Sequence, residues 1–270
     1  MIATRGEMAR VSRQRLDQLM VERGLAPDRA RARALILARE VSVDGSIALR
    51  AAAPVEVGVD LVLRTPPRYV GRGGDKLEHA LRRWTAPSAL GAMDADATSE
   101  GVGITVHGAR CLDIGAAIGG FTDCLLQHGA THVTTVDVGY GELALRLRGD
   151  PRVEVRERTN ARDLAPLDPP VDIATVDVSF ISLTTVLPAV VRSVRPGGEL
   201  LVLVKPQFEA ARGDVPSGGV VHDANVHAAT VARVAVWAIG HGLRVRGVSR
   251  SPLRGPAGNR EFFLWLRRLA

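Results

Sequence analysis

The sequence predicts an α/β fold, in which a small α+β domain precedes a seven-stranded, mostly parallel sheet. Two observations predict it. From about Arg110 onward, short apolar segments alternate with helical segments, as in parallel strands joined by helices. Before Pro67 the segments are shorter and rich in arginine. With 270 residues and 46% hydrophobic composition, the chain can bury one large core and one small one.

We expect a small domain over residues 13–66, a linker over residues 67–73 and a large domain over residues 74–270. In the small domain, Asp44-Gly45 predicts a tight hairpin turn, and Leu35 and Leu37 are expected on the buried face of a helix. The expected elements of this domain are a helix capped by Ser12 and ended by Gly24, a helix from Asp28 to Glu40, and strands at Val41–Val43, Ile47–Leu49 and Val55–Leu63.

The large domain should contain seven strands, the last of them antiparallel, with four helices between them. We expect Ala89–Thr105, which is small, acidic and rich in glycine, to form a surface loop. The expected strands are Arg110–Asp113, His132–Asp137, Val153–Arg156, Ile173–Asp177, Leu200–Lys205, Leu243–Val248 and Glu261–Leu266. The expected helices are Phe121–His128, Glu142–Arg148, Leu183–Val194 and Val226–His241.

The net charge of +6 is unevenly distributed along the chain. Residues 1–83 hold 16 Arg+Lys and 10 Asp+Glu, whereas residues 84–270 hold 19 of each. A basic domain beside a neutral one favours a module that binds a polyanion. A solvated charged face would produce the same count, so charge alone leaves both interpretations open.

The order of elements from Gln14 to Leu63 resembles the RNA-binding module named after small-subunit ribosomal protein four. One position departs from that pattern, because the family usually has glycine where Arg39 stands. The resemblance implies that arginines of this module contact RNA phosphates. The candidates are Arg13, Arg15, Arg29, Arg31 and Arg33.

A glycine-rich turn between the first strand and first helix of the sheet is the main cofactor signal. Gly115 and Gly119 lie four residues apart, unlike the spacing of dinucleotide-binding turns, and the turn fits S-adenosylmethionine, which has no pyrophosphate. Asp137 ends the next strand, where an acid accepts hydrogen bonds from ribose hydroxyls. A plain turn flanked by two helix-capping acids is the alternative, and Asn160 could face the adenine or serve as a turn residue. The cofactor-binding candidates are Asp113, Gly115, Gly119, Gly120, Phe121, Asp137, Asn160 and Asp177.

Lysine is rare in this chain, and its two occurrences are informative. Of 35 basic residues only Lys76 and Lys205 are lysines. An arginine stays protonated, whereas a partly buried lysine can give up a proton and act as a base. Lys205 and Asp177 each end a strand, and Glu261 opens the last strand, so that they should meet at one edge of the sheet. Chance retention in an arginine-biased composition is the alternative.

Seven motifs together resemble the TlyA (haemolysin A) family of FtsJ-like methyltransferases. They occupy residues 72–77, 137–141, 157–162, 177–182, 204–209, 218–223 and 258–263. The resemblance implies a class-I, Rossmann-like methyltransferase sheet and S-adenosylmethionine-dependent methylation of cytidine 2′-hydroxyls in ribosomal RNA of one or both subunits. It also implies a catalytic tetrad of Lys76, Asp177, Lys205 and Glu261. Ala117 and Ile118 depart from the Ser-Thr that is commoner in the turn.

The tetrad suggests a division of roles. Lys205 would take or orient the hydroxyl proton, Asp177 and Glu261 would hold its ammonium, and Lys76 would steer the ribose. The expected partners are ribosomal RNA or ribosomal subunits, and the expected location is the cytoplasm.

Two other classes of function are weighed against the methyltransferase. A non-catalytic ribosome-assembly factor would use only the basic module, whereas a haemolysin would need a membrane-active segment. The sequence has no apolar run near the ~18 residues that cross a bilayer. Cys111 and Cys124 make no disulfide framework, and no spacing suggests a metal site.

Overall fold

The structure is a computed structural model that describes residues 12–64, 67–85 and 103–270. The chain divides into two compact units, Met1–Pro67 and Arg68–Ala270. Residues 68–73 of the expected linker lie in the second unit: Tyr69 is 2% exposed in its core, and the Val70 N–H donates to Asp123 over 2.8 Å. Most of the loop expected at Ala89–Thr105 lies outside the described residues.

The first unit contains two short helices and two small sheets around its own core. Strands β1 and β4 form an antiparallel pair, and the second sheet has the order β3-β2-β5. Leu16, Met20, Ile36 and Val41 are buried between them. The elements are β1 (Arg13–Arg15), α1 (Leu16–Glu22), α2 (Arg29–Leu37), β2 (Val41–Val43), β3 (Ser46–Ile47), β4 (Pro54–Glu56) and β5 (Leu61–Leu63).

Three expectations for this unit are wrong. Ser12 does not cap the first helix, because β1 pairs with β4 and the helix begins only after Arg15. The expected strand Val55–Leu63 is two strands in different sheets. Leu37 is 77% exposed while Ile36 is buried, so the apolar face of α2 is rotated by about one residue.

Two turns in this unit depend on left-handed backbone. Asp44 and Gly45 have φ values of 47° and 78°, as the predicted hairpin turn requires. Arg39, which stands where the related modules usually have glycine, also adopts a left-handed φ of 61°. The turn is retained with a residue that reaches this conformation only at an energetic cost.

The second unit is built on a seven-stranded sheet of order β11-β12-β10-β9-β6-β7-β8. Strand β12 runs antiparallel to both neighbours, and the strands from β10 to β8 are parallel, which confirms the predicted sheet. The strands are β6 (Arg110–Ile114), β7 (His132–Val136), β8 (Val153–Arg156), β9 (Val171–Val176), β10 (Val194–Val204), β11 (Leu243–Arg250) and β12 (Phe262–Arg268). The helices are α3 (Arg72–Thr85), α4 (Gly120–Gln127), α5 (Leu145–Arg148), α6 (Leu183–Ser193), α7 (Pro206–Glu209) and α8 (Ala224–Gly240).

Helices cover both faces of this sheet, so its central strands are apolar throughout. Residues 200–204 of β10 are all at most 1% exposed. Helix α3 crosses the beginning of α4 at two glycines, where a Cβ on Gly120 would lie 2.9 Å from the Gly74 nitrogen. That close approach fixes the first turns of α3, and therefore Lys76, against the sheet. None of the helices in the described ranges has both the length and the apolar character needed to cross a membrane.

A buried carboxylate, Glu78 on α3, joins several elements of this unit. It accepts hydrogen bonds from Tyr69 Oη (2.9 Å) and Arg68 Nη1 (2.8 Å), and contacts His128 Nε2 and Arg82 Nε at 2.5 Å each. Burial alone would raise the pKa of Glu78, but the hydrogen bonds from His128, Arg82 and Tyr69 outweigh it and lower the pKa to about 2.

Replacing Glu78 should therefore change how stability depends on pH. A carboxyl group whose pKa falls from 4.5 to about 2 on folding contributes stability above pH 4.5, and that contribution is lost as the pH falls towards 2. We expect Glu78→Gln to lower the urea midpoint at neutral pH and to flatten its decline below about pH 4.5. Glu142→Gln, an exposed control, should leave the profile unchanged. Parallel acid profiles for wild type and Glu78→Gln would contradict the prediction.

Candidate active site and nucleic-acid interface

Four charged side chains lie at the carboxyl ends of adjacent parallel strands. Asp113 is the penultimate residue of β6, and Asp137, Asp177 and Lys205 directly follow β7, β9 and β10. The Gly115 N–H donates to the Val136 carbonyl and the Asp177 N–H donates to the Ile114 carbonyl, so these strands end at the same edge of the sheet. Ligands of open α/β sheets bind outside this edge.

Lys205 and Asp177 form the first of two ion pairs at this edge. Lys205 Nζ lies 2.6 Å from Asp177 Oδ1 and donates to Ser179 Oγ over 2.9 Å. Asp177 Oδ1 is buried and has no well-aligned hydrogen-bond donor among the described residues, so the short contact is electrostatic in character. This oxygen therefore keeps hydrogen-bonding capacity directly beside the lysine.

Lys76 and Glu261 form the second pair, with 2.6 Å between Lys76 Nζ and Glu261 Oε2. Glu261 is 1% exposed and Lys76 7%, so each charge depends on the other for compensation. Val204 and Phe262 are register partners in β10 and β12, which places Lys205 and Glu261, one residue further on, side by side. The structure thus brings the four predicted residues together, with Glu261 paired to Lys76 where we expected it to hold Lys205.

The glycine-rich turn packs directly against the Asp177 segment. Gly115 has φ of 81°, and a Cβ there would lie 2.3 Å from the Asp177 carbonyl oxygen. Gly119 has φ of 96°, and its Cβ would lie 2.3 Å from Leu147 Cδ1. Both glycines adopt a left-handed backbone that favours glycine, and Gly115 also lets the turn approach the Asp177 backbone, which couples the shape of the turn to the position of Asp177.

Asp137 faces this turn and is half-buried. Its Oδ2 accepts from the Ala117 N–H over 2.8 Å, and its Oδ1 accepts from the Gly139 N–H over 2.7 Å. Each oxygen retains a lone pair for a further donor such as a ribose hydroxyl. Three large apolar side chains around the turn are exposed: Ile118 (46%), Val138 (71%) and Tyr140 (67%). The acid and this apolar surface fit a nucleoside.

Other predicted cofactor residues lie behind the turn. Asp113 is fully buried and accepts from Thr122 Oγ1 (2.6 Å) and Thr175 Oγ1 (2.9 Å). Burial raises the pKa of Asp113 to about 6, against the lowering effect of the two threonines. Phe121 is 3% exposed and stacks on Phe263 in the core, with 6.0 Å between ring centroids. These two side chains support the turn from inside the domain.

Asn160 takes the role of a turn residue. Its Oδ1 accepts from the Arg162 N–H over 3.1 Å and caps the short 3-10 turn Ala161–Asp163. An additional contact between Asn160 and an adenine stays a prediction.

Phe180 is a site residue that our sequence reasoning did not identify. It follows Ser179 at the sheet edge, is 91% exposed, and adopts a left-handed φ of 63°. Its ring lies 4.9 Å from that of Phe208. Strained backbone that holds an aromatic ring in solvent beside charged groups is typical of a binding site. The sequence signal was an aromatic residue in each of the segments that follow Asp177 and Lys205.

Glu209 connects those same two segments below the surface. It is 2% exposed, its Oε1 accepts from the Leu183 N–H over 2.6 Å, and its Oε2 accepts from Ser182 Oγ over 2.7 Å. Arg233 donates to its backbone carbonyl over 2.6 Å. Burial raises the pKa of Glu209, and the bonds from Leu183 and Ser182 oppose that rise. Glu209 therefore ties α7, which follows Lys205, to the start of α6.

One group of possible metal ligands exists among the described residues. Ligand atoms of Glu78, Cys124 and His128 lie within 4.8 Å of one another. Burial raises the pKa of the Cys124 thiol to about 12, whereas a metal requires the thiolate. Glu78 is already engaged by four donors. The group fits a structural hydrogen-bond network better than a metal centre.

In the first unit, a buried aspartate organises three of the five predicted arginines. Asp17 is 0% exposed, and its Oδ2 lies 2.9 Å from Arg15 Nη2, 3.3 Å from Arg29 Nη2 and 3.2 Å from Arg33 Nε. The hydrogen bond from Arg15, opposed by burial and aided by Arg33 and Arg29, holds the pKa of Asp17 well below its usual range. Three half-exposed guanidinium groups thus converge on one point.

The remaining two predicted arginines are placed differently. Arg13 Nη2 lies 3.9 Å from Glu56, and the exposed Arg31 uses its backbone N–H to donate to Asp28 at the start of α2. Neither contacts Asp17 through its side chain.

Comparison with known protein families gives two matches. Residues 69–268 match the FtsJ-like methyltransferase model, and residues 14–61 match the S4 domain model. Together they cover both units.

Individual relatives match over nearly the whole chain. A 16S/23S rRNA (cytidine-2′-O)-methyltransferase, TlyA, from Mycobacterium tuberculosis is 47% identical over 94% of this chain and 90% of its own length. Hemolysin A from Brachyspira hyodysenteriae is 34% identical over 92% of this chain and 97% of its own. The solved structure of a candidate hemolysin from Streptococcus thermophilus superposes with a TM-score of 0.68 at 34% identity, covering 96% of this chain and 90% of its own.

The contacts of Glu209 predict the effect of replacing it. Glu209→Ala leaves the Leu183 N–H and Ser182 hydroxyl without their buried acceptor, and should lower the free energy of unfolding by about 1–3 kcal/mol. Glu209→Gln can still accept from Leu183 and can donate to Ser182, so its stability at neutral pH should remain close to wild type. Urea unfolding of both variants checks this. Equal losses in the two variants would show that charge, and not the pair of hydrogen bonds, is what matters at this position.

Proposed function

Because this chain belongs to the TlyA group of the FtsJ-like methyltransferase family, we propose that it transfers a methyl group from S-adenosylmethionine to a cytidine 2′-hydroxyl of ribosomal RNA. One observation carries the proposal beyond family membership. Lys205 and Lys76, the two lysines of the chain, are both buried at the ligand-binding edge of the sheet, and each is ion-paired with a carboxylate.

The chemistry required is activation of a weak nucleophile. A ribose hydroxyl reacts readily only when its proton is removed or drawn away. As a base, Lys205 acts in its neutral form, which has two N–H groups and one lone pair. Its Nζ donates to Ser179 and lies 2.6 Å from Asp177, so these two residues fix the position of the amine. The lone pair of the amine accepts the hydroxyl proton, and Asp177 stabilises the ammonium that results.

The second ion pair supports this arrangement from the neighbouring strand. Glu261 and Lys76 lie beside Lys205 without adding net charge. Glu261 neutralises the charge of Lys76 overall, so the pair adds little to the local potential. The Lys76 ammonium is still a local positive group, and it can steer the ribose. Lys76 therefore has a positioning role.

The residues around the glycine-rich turn fit the proposed cofactor. Asp137 would accept from the ribose hydroxyls, and the exposed side chains of Ile118, Val138 and Tyr140 offer apolar surface to the adenine. When bound, S-adenosylmethionine supplies a methyl group activated by its sulfonium. Gly115 sets the distance between this turn and Asp177, so that cofactor and base belong to one rigid arrangement.

RNA recognition is divided between the two units. Arg15, Arg29 and Arg33 of the first unit bind phosphates, to which the guanidinium group is well matched. In the second unit, Phe180 offers an exposed ring beside Lys205 on which an unstacked base can rest. The partners are ribosomal RNA or ribosomal subunits, which places the protein in the cytoplasm.

Arginine substitutions distinguish a base from a fixed charge. Lys205→Arg retains the charge but not the ability to lose a proton, so methyl transfer should fall by about 10² or more while RNA and cofactor binding persist. Lys76→Arg should be milder, because Lys76 only positions the ribose. The measurement is transfer of labelled methyl groups to ribosomal RNA stripped of modifications, with mapping of 2′-O-methyl sites.

The outcomes separate the alternatives. Absence of transfer by the wild-type protein would contradict the proposed function itself. Near-wild-type turnover in both variants would show that the two lysines contribute charge and structure but transfer no proton. If Lys76→Arg lost more methyl-transfer activity than Lys205→Arg, Lys76 would be the base and Lys205 the positioning residue.

Asp17 offers a test in which charge and geometry predict opposite results. Asp17→Asn makes the protein more positive, so charge alone predicts tighter RNA binding. If Asp17 holds Arg15, Arg29 and Arg33 in place, the affinity for RNA should instead fall, by about tenfold or about 1.4 kcal/mol.

Glu22→Gln is the matched control, since it changes the charge equally at an exposed site of the same unit. It should bind RNA as tightly as wild type or slightly more tightly. RNA affinity measured at several salt concentrations checks the prediction, and tighter binding by Asp17→Asn would refute the positioning role.

A further inference from the structure

The second unit has a local concentration of positive charge that its net charge conceals. Residues 84–270 are neutral as a whole. Four arginines nevertheless lie on the segments that carry or adjoin the buried Lys76–Glu261 pair, and we call them the arginine rim. They are Arg72, Arg250, Arg254 and Arg260.

Two of these arginines are placed by their neighbours in the chain. Arg72 begins α3 and precedes Lys76 by four residues, so the two lie on the same face of the helix. Arg260 directly precedes Glu261. Both members of the buried ion pair therefore have an arginine beside them.

The other two are placed by strand register and a side-chain contact. Arg250 ends β11 opposite Phe262, the first residue of β12. Arg254 lies in the loop that joins these strands, and its carbonyl accepts from Arg72 Nη2 over 3.0 Å. This contact connects the loop to the start of α3.

Internal hydrogen bonds order the loop that carries the rim. Ser251 donates its N–H to the Glu261 carbonyl over 2.9 Å, and Gly255 donates to the Asn259 carbonyl over 3.0 Å. Arg254 Nη1 donates to the Gly258 carbonyl over 3.1 Å. The backbone of this loop is therefore ordered before any ligand binds, which lowers the entropy cost of binding a ligand there.

The rim lacks counterions. Within the part of the chain that the structure describes, none of the four guanidinium groups lies within 4.0 Å of a carboxylate oxygen. The carboxylate among them, Glu261, is already paired with Lys76, and the nearest other acid along α3 is the exposed Asp75. Some exposed arginines elsewhere on this unit are paired with a carboxylate, as Arg195 is with Asp172 at 2.6 Å, whereas others, such as Arg244, have no such partner among the described residues. The rim differs from both in bringing four such arginines onto adjoining segments. Four like charges gathered without compensation indicate an anionic partner.

We propose that the arginine rim binds the phosphates of the RNA strand next to the methylated nucleotide, so that the catalytic unit makes RNA contacts of its own. This inference rests on the proposed function, which places a target ribose at the Lys205 edge. Arg72 and Arg254 each use one terminal nitrogen on a backbone carbonyl and keep other N–H groups free. The several guanidinium groups of the arginine rim match the repeated phosphates of a nucleic-acid strand.

A pair of arginines on one strand provides the test. Arg250 and Arg244 are both exposed on β11, six residues and therefore about 20 Å apart, and only Arg250 belongs to the rim. In the full-length protein, Arg250→Ala should raise the KM for stripped ribosomal RNA several-fold and reduce the salt dependence of binding by about one phosphate contact. Arg244→Ala, with the same change of charge, should match wild type. Cofactor affinity should be unchanged in both.

The double variant Arg250→Ala/Arg260→Ala should lower the salt dependence by about two contacts. Equal behaviour of Arg250→Ala and Arg244→Ala would overturn the proposal, whether both bind like wild type or both are weakened alike by general electrostatics. If the wild-type protein transfers no methyl group, the proposed function fails. The same comparison of RNA dissociation constants then still decides whether the rim binds RNA.

Discussion

Two ion pairs, each between a buried lysine and a carboxylate at the carboxyl ends of the central strands, constrain much of the second unit. A buried ammonium group is tolerable only when an opposite charge lies within a few ångströms. Lys205 finds Asp177 on the adjacent parallel strand, whereas Lys76 must be carried to Glu261 by a helix from outside the sheet. The antiparallel strand β12 positions Glu261 beside β10, and the crossing of α3 over α4 at Gly74 and Gly120 brings Lys76 to it.

The glycine-rich turn and the ion pairs form one structural arrangement. Gly115 leaves no room for a side chain because the Asp177 backbone occupies that space. A change in the turn would therefore move Asp177, the ion-pair partner of Lys205. Glu209 adds a second connection, because it ties the segment after Lys205 to the helix after Asp177. The proposed cofactor pocket and the proposed base are thus held in a fixed relation by packing and hydrogen bonds around the chemistry.

Buried carboxylates organise cations or N–H donors in several parts of this protein. Asp17 gathers three arginines of the first unit, and Glu78 gathers Arg68 and Arg82 with Tyr69 and His128. In an arginine-rich chain, such acids turn long, flexible side chains into groups with defined positions. The four arginines of the rim, by contrast, have no carboxylate partner among the described residues. Their guanidinium groups therefore remain available to a ligand.

The sequence by itself determined the seven strands, the glycine-rich turn and the residue types at the strand ends. These features follow from local hydrophobic periodicity and from short motifs, which do not depend on distant neighbours. It did not determine that Glu261 pairs with Lys76, that Phe121 faces the core, or that Arg15, Arg29 and Arg33 converge on Asp17 while Arg13 and Arg31 do not. Lys76 and Glu261 are 185 residues apart, and their meeting depends on strand register and on a helix crossing at Gly74 and Gly120. Tertiary structure decided these pairings, because a buried charge takes the partner that packing brings within reach and not the one nearest in sequence.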